Sequence, residues 1–235
     1  MKILKPIDRK QLYKMLKAKG HYVFDLTFYT ENLIPEGIFS YNENLTSVLA
    51  GPRTQIIANE AFSFTSNLEF FDSQVTTVGK SAFECSSIKK FNFNDVLFID
   101  ECGFKQSGLE SVYLPKLQEI RKETFSNCFQ LKEVKMKKVK SIDDEAFSSS
   151  MFNSIIFPNT LESLGKNIFQ YNNFLKDILF LGDKPPKVTK STFDKCCLDN
   201  IYVISNLISY QKAFPKSLQN KIKQIDLEKI QIFLT

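Results

Sequence analysis

The chain has 235 residues, 43% of them hydrophobic and 24% charged, which is the composition of a foldable polypeptide rather than a disordered one. Its formal charge of +5 is too mild to mark a nucleic-acid binder and biases it only slightly towards acidic partners. One histidine and five cysteines without paired spacing exclude most histidine-based catalytic and metal schemes and any disulfide framework.

The first segment, residues 8–19 (DRKQLYKMLKAK), reads as a helix. Asp8 is its N-cap, and Leu12, Met15, Leu16 and Lys19 lie on one stripe. The first 20 residues, MKILKPIDRKQLYKMLKAKG, are broken by Lys5, Pro6, Asp8, Arg9 and Lys10 and lack the apolar core of a secretory signal, so the expected setting is the cytoplasm, the alternative being a lost leader. HYVFDLTF follows as a degenerate first strand with Val23, Leu26 and Phe28 facing inward. Residues 1–30 are therefore expected to form an N-terminal cap.

From residue 31 a repeat takes over. Phe39, Phe62, Phe83, Phe104, Phe125, Phe147, Phe169 and Phe193 are separated, by subtraction, by 23, 21, 21, 21, 22, 22 and 24 residues. Five residues before each stands Ile34, Ile57, Val78, Ile99, Ile120, Ile142, Leu164 or Val188. After each comes an apolar-x-x-apolar run: Leu45/Val48, Leu68/Phe71, Ile88/Phe91, Leu109/Val112, Leu131/Val134, Phe152/Ile155, Leu175/Ile178 and Leu198/Ile201. Three anchors kept in register eight times are the signature of a stacked array. Within a coil such as SGLESVYLPKLQEIRKETF, Leu109, Val112 and Leu114 form the inward face of a strand, and Leu117 and Ile120 form a second apolar pair. RKETF then makes a tight turn, a plain short turn or a 3₁₀ or short helical one, that drops Phe125 into the core. The fold class expected is a mainly β repeat solenoid with a parallel sheet on one face. About eight coils fill residues 31–205.

Residues 206–235 leave the period. Residues 208–214 and 218–225 read as short amphipathic helices, followed by an extended tail, and together they form a C-terminal helical cap. KPPK at 184–187 lengthens one loop. No composition shift marks a domain boundary, so cap, array and cap are expected to form one continuous domain.

Cys85, Cys128 and Cys196 follow their phenylalanines by two or three residues and so fall in equivalent places of different coils. Cys85 and Cys128 are two coils apart, about 10 Å at strand spacing, too far for a disulfide. They read as buried, reduced thiols. Zinc at Cys196-Cys197 would need further ligands, and the only histidine, His21, is at the other end of the chain. Asp143-Asp144-Glu145 occupies a turn and lacks calcium-loop spacing, and no glycine-rich phosphate loop occurs. No cofactor or catalytic residue is expected.

The outward position in the middle of each strand reads Leu49, Asp72, Asn92, Tyr113, Lys135, Ile156, Leu179 and Tyr202, of which five are large and apolar or aromatic. Water-facing strand positions are ordinarily polar, so this column marks either a docking face or a cover for the sheet. The run KMKKVK at 135–140 puts Lys135 and Lys137 beside it, as a docking point or simply as a solvated strand edge. The candidate partner-binding residues are Tyr113, Lys135, Lys137, Ile156, Leu179 and Tyr202.

LESVYLP at 109–115, LQEI at 117–120, EAF at 60–62 and 145–147, SAFEC at 81–85 and TFSNC at 124–128 resemble the BspA-like leucine-rich repeat family over about residues 30–205. The resemblance implies a right-handed solenoid without enzymatic activity. The expected function is a non-enzymatic scaffold whose strand face binds another protein, with no nucleic acid and no membrane span. The alternative is a surface adhesin of the same type that binds host proteins or cells.

Overall fold

A repeat of this length cannot bury its apolar anchors alone, and the anchors are buried against their counterparts in neighbouring coils, with Phe91 and Val188 only partly so. The computed structural model describes Lys10, residues 22–27, 29–72 and 74–226, and Glu228. The first half contains β1 (Tyr22–Leu26), β2 (Leu33–Ile34), β3 (Leu45–Ala50), β4 (Ile56–Ile57), β5 (Phe70–Asp72), β6 (Thr77–Val78) and β7 (Phe98–Ile99). The array continues with β8 (Ser111–Leu114), β9 (Glu119–Ile120), β10 (Glu133–Met136), β11 (Ser141–Ile142), β12 (Ser154–Phe157), β13 (Ser163–Leu164), β14 (Asp177–Phe180) and β15 (Asn200–Val203). Helices α1 (Leu207–Ala213) and α2 (Lys216–Gln219) and strand β16 (Ile222–Gln224) close it.

All strand pairings are parallel and divide between two faces. The longer strands make the front face in three groups, β1-β3-β5, β8-β10 and β12-β14-β15-β16. The second apolar pair of each coil ends in a two-residue strand of its own, and these form β2-β4-β6-β7 and β9-β11-β13 on the other face. The expected parallel sheet lies on the front face, and the two-residue strands add a second ladder on the other. The third coil departs from expectation. Residues 88–91 form no strand and pair with the front sheet by a single bridge, Phe70 to Lys90, although Ile88 is fully buried and Phe91 stacks on Phe71 at 5.6 Å.

Between the sheets runs the phenylalanine ladder. From Phe39 to Phe193, successive ring centroids lie 5.0, 5.1, 5.1, 5.9, 5.5, 6.2 and 6.2 Å apart, with planes within 23° of parallel. The arc that carries each ring is a tight turn, as expected, but of neither the 3₁₀ nor the helical kind. In every arc but the last, the residues two before and two after the phenylalanine have positive φ, as in Glu60/Phe64, Ser81/Cys85, Glu123/Asn127 and Glu145/Ser149, and only in the first arc is one of them a glycine; around Phe193 only Lys195 has it. Left-handed non-glycine residues cost roughly 1–3 kcal/mol each. What holds them is the ladder they create. Glu60, Phe62 and Phe64 donate their N–H groups to the carbonyls of Lys80, Ala82 and Glu84 in the next coil at 2.9, 2.8 and 2.7 Å, and the later arcs repeat the pattern.

One residue further on, a small donor satisfies a buried carbonyl. Thr65 Oγ1 and Ser86 Oγ donate to the carbonyls of Phe62 and Phe83, and Cys196 Sγ to that of Phe193. Cys128 Sγ donates to the Phe104 carbonyl at 3.1 Å. Cys128 and Cys196 thus share a place, whereas Cys85, one position earlier, is a left-handed turn residue (φ 56°). The three cysteines are not all equivalent, contrary to their reading from spacing.

The ends differ in detail from expectation. β1 pairs with β3 so that Phe24 faces Val48 and Leu26 faces Ala50; both are buried, while Val23 is exposed. The inward set is Phe24 and Leu26 rather than Val23 and Leu26, because Phe24 meets Phe39 edge-on at 4.9 Å and starts the ladder. The helix expected over residues 8–19 lies, apart from Lys10, outside the described residues, as do Phe28 and, apart from Glu228, the tail from 227. At the other end α1 forms as expected. Phe214 stacks on Phe193 at 5.9 Å, and the Tyr210 hydroxyl donates to the carbonyls of Gly182 and Lys184. The second expected helix stops at Gln219. Ile222–Gln224 instead adds β16 to the front sheet, since Ile222 completes the buried row beside Ile201.

Candidate partner-binding surface

β8 and β10 pair with Val134 beside Val112 and Lys135 beside Tyr113; β12 and β14 pair with Ile155 beside Ile178 and Ile156 beside Leu179. Between these two groups the front sheet is open: among the described residues no ladder joins β10 to β12. The coils are nevertheless held together on both sides of the gap. Met151 N–H donates to the Leu131 carbonyl at 2.9 Å before it, and Glu162 N–H to the Lys140 carbonyl at 2.7 Å after it. On the other face β11 stays paired with β13. The result is a cleft of about 480 Å³ on the strand face.

Its floor is apolar and its rim is cationic. Val134 and Met136, core residues by pattern, are 8% and 9% exposed, whereas Val112 and Leu114 beside them are 2% and 0% exposed, so the gap brings solvent to the edge of the core. Ile155 and Ile156 form the opposite wall, with Ser154 and Asn153 at its end. Tyr113 stands 38% exposed at the edge, with Lys137 Nζ 5.5 Å from its ring centroid. Lys135 Nζ is 2.6 Å from Glu133 Oε1. Lys132 and Lys137 have no carboxylate within ion-pair distance among the described residues.

Four of the six residues singled out from sequence, Tyr113, Lys135, Lys137 and Ile156, converge on this cleft. The other two do not. Leu179 is fully buried, although it lies outside the main core cluster, so it offers no contact surface; it is flanked in register by Ile156 and Tyr202. Tyr202 is half-buried two strands from Ile156, and burial raises its hydroxyl pKa. In this part of the column the large side chains cover the sheet. Alternation alone did not disclose Lys132, Glu133, Asn153 and Ser154 as lining residues, because nothing in the repeat spacing marks where a ladder opens.

Burial pushes the Cys128 and Cys196 thiols up to about 11, which leaves them protonated and unreactive. All five cysteines are free. Among the described residues no three His, Cys, Asp or Glu side chains come together as a metal site. In the acidic triplet, Asp144 Oδ1 accepts the N–H of Lys166 at 2.7 Å, so this carboxylate caps the next coil. Burial raises the Asp143 carboxyl pKa, with Glu119 and Asp144 adding to the shift. Among the described residues no helix is long and apolar enough to cross a membrane.

A sequence model of the BspA type leucine rich repeat region matches this chain in six copies, over residues 29–119 and 97–222. The chain belongs to the BspA-type leucine-rich repeat family. A leucine rich cell surface protein from Faecalibacterium prausnitzii shares the fold at a TM-score of 0.67 and 18% identity, covering 89% of this chain and 70% of that one. A leucine-rich repeat protein from Bacteroides ovatus aligns at a TM-score of 0.45 and 16% identity, over 87% of this chain and 68% of the other. No curated protein matches the chain. Membership in this BspA-type family agrees with an interaction scaffold in which the repeats supply the surface and no fixed set of residues supplies chemistry.

Proposed function

We propose that this BspA-type chain is a non-enzymatic protein-binding module that docks its partner on the strand face, centred on the cleft between β10 and β12. The carrying observation is that Tyr113, Lys135, Lys137 and Ile156 meet around a gap where core methyl groups of Val134 and Met136 reach solvent. An exposed aromatic over an apolar floor, with charges at the rim, is the anatomy of a protein contact. Residues 1–30, 31–205 and 206–235 serve as cap, array and cap of one continuous domain.

Of the two settings considered, cytoplasm and cell surface, the second has the better support, since the solved relative from Faecalibacterium prausnitzii is described as a cell surface protein and nothing comparable speaks for the cytoplasm. The reading preferred is therefore a surface module of the adhesin type. Biotinylation of intact cells with a membrane-impermeant reagent tests it: labelling of the chain supports surface display, and protection until lysis returns it to the cytoplasm.

The docking face is tested by Tyr113→Ala combined with Ile156→Asp. Tyr113 is exposed and Ile156 half-buried at the cleft wall, so the variant keeps its circular dichroism spectrum while losing the partner recovered by cross-linking and affinity capture. Retained binding in this variant, with loss on Arg121→Ala or Asp144→Ala in the turns, moves the working surface to the other side.

A further inference from the structure

The cleft also indicates what kind of segment occupies it. Resting on the strand face as the docking surface, we propose that the occupant is an extended acidic stretch of a partner protein, with an apolar side chain seated between carboxylates.

Three features converge on this chemistry. First, no ladder joins β10 to β12 among the described residues; Cα atoms of the two strands still approach within 8 Å, too close for a third strand between them, but the unpaired backbone along the seam is open to an extended chain lying over it. Second, the floor between them is apolar, made by Val134, Met136, Ile155 and Ile156. It suits an aliphatic side chain and gives a phosphodiester backbone nothing to recognise. Third, the charge is one-sided. Lys132, Lys135 and Lys137 line the cleft against a single carboxylate, Glu133, which leaves two positive charges in excess (three minus one). Glu133 is engaged by Lys135, which leaves Lys132 and Lys137, at either end of β10, without a carboxylate partner among the described residues. Five residues separate them, about 16 Å at strand rise. A chain lying along β10 meets them with carboxylates four or five residues apart and turns the side chain between them down onto Val134 and Met136. Tyr113, with one face towards Lys137, closes the side.

The test uses two fluorescein-labelled heptapeptides, Glu-Glu-Leu-Glu-Leu-Glu-Glu and its counterpart with lysine at every glutamate, followed by fluorescence anisotropy on the full chain at low and high salt. The glutamate peptide is expected to bind at least tenfold more tightly than the lysine peptide and to weaken as salt rises. Lys132→Glu with Lys137→Glu should weaken the glutamate peptide at least tenfold. Lys190→Glu with Lys212→Glu, which changes net charge equally but away from the cleft, should shift it less than twofold. Equal binding of the two peptides, no binding of either, or an equal loss in the distant variant overturns the proposal.

The captured partner then separates this inference from the reading beneath it. If Tyr113→Ala with Ile156→Asp abolishes its binding while Lys132→Glu with Lys137→Glu does not, the strand face stands and the acidic occupant falls. If neither variant affects it, both fall.

Discussion

Phe125→Ala tests the register of the whole array. Phe125 is fully buried, and its ring lies between those of Phe104 at 5.9 Å and Phe147 at 5.5 Å, with Phe93 edge-on at 6.2 Å. Truncation of a core phenylalanine costs about 3–5 kcal/mol. Stacked neighbours on both sides add aromatic contacts worth roughly 0.5–1.5 kcal/mol each beyond area burial, which places this position at about 4–5 kcal/mol. For a chain of this size each kcal/mol lowers the melting temperature by roughly 2–4 °C, so the shift to seek by calorimetry is about 8–20 °C. Phe129→Ala is the control. It lies four residues on and is 55% exposed, so it should cost about 0.5 kcal/mol or less. Because coils contact only their neighbours, hydrogen exchange in the Phe125 variant should rise first in the arcs of Phe104, Phe125 and Phe147. Equal melting temperatures for the two variants, or exchange that rises only at the chain ends, would refute the ladder.

Gly165→Ala should be severely destabilising although only a methyl group is added, because its Cβ would lie 2.6 Å from the Asp144 amide nitrogen. Gly182→Ala, where the closest atom is at 3.4 Å, is the mild comparison, and similar melting temperatures for the two would contradict the packing. Iodoacetamide at about pH 8 should label exposed Cys197 first and buried Cys128 last, as read by peptide mass mapping; rapid native-state labelling of Cys128 would contradict its burial. The same thiol links stability to pH. Its folded pKa of about 11 exceeds the ordinary value of 9.0, so both states stay protonated below pH 9 and only the unfolded chain ionises between 9 and 11. Stability should therefore fall across that interval, and fall less in Cys128→Ser, which retains a donor for the Phe104 carbonyl; parallel pH profiles for the two proteins would exclude the linkage.

The sequence reveals the core more fully than the surface, for a physical reason. Burial repeats: Phe104, Ile120 and Val112 must each stack on a like residue one coil away, so spacing alone places them. The arcs are legible as turns but their left-handed conformation is not, because residues such as Glu123 and Asn127 carry no glycine signature; their conformation is set by hydrogen bonds to the next coil. The terminal elements were read only in part, since β1 has a different inward set and Ile222 belongs to a strand, and neither end keeps the three-anchor spacing. In the outward column alternation gave the direction of Tyr113, Lys135 and Ile156 correctly, but direction is not exposure. Leu179 points away from the main core and is still buried, which no pattern of alternation records.

The open seam is compatible with a stable array because of how a solenoid distributes its bonds. In a single-sheet protein, loss of pairing between two central strands would divide the molecule. Here three surfaces join adjacent coils, and between the coils of β10 and β12 two of them remain intact. β11 is paired with β13, and the arc of Phe147 donates N–H groups from Glu145, Phe147 and Ser149 to Lys166, Ile168 and Gln170 at 2.9, 3.0 and 2.8 Å. The rings of Phe147 and Phe169 remain stacked at 6.2 Å behind the gap. The front strands can therefore part without separating the coils, and their backbone edges and the apolar side chains beneath them become available at one defined place. A repeat scaffold that keeps its core uniform can specialise only in its outer positions and in such departures from its own ladder. In this chain the two coincide between Tyr113 and Ile156.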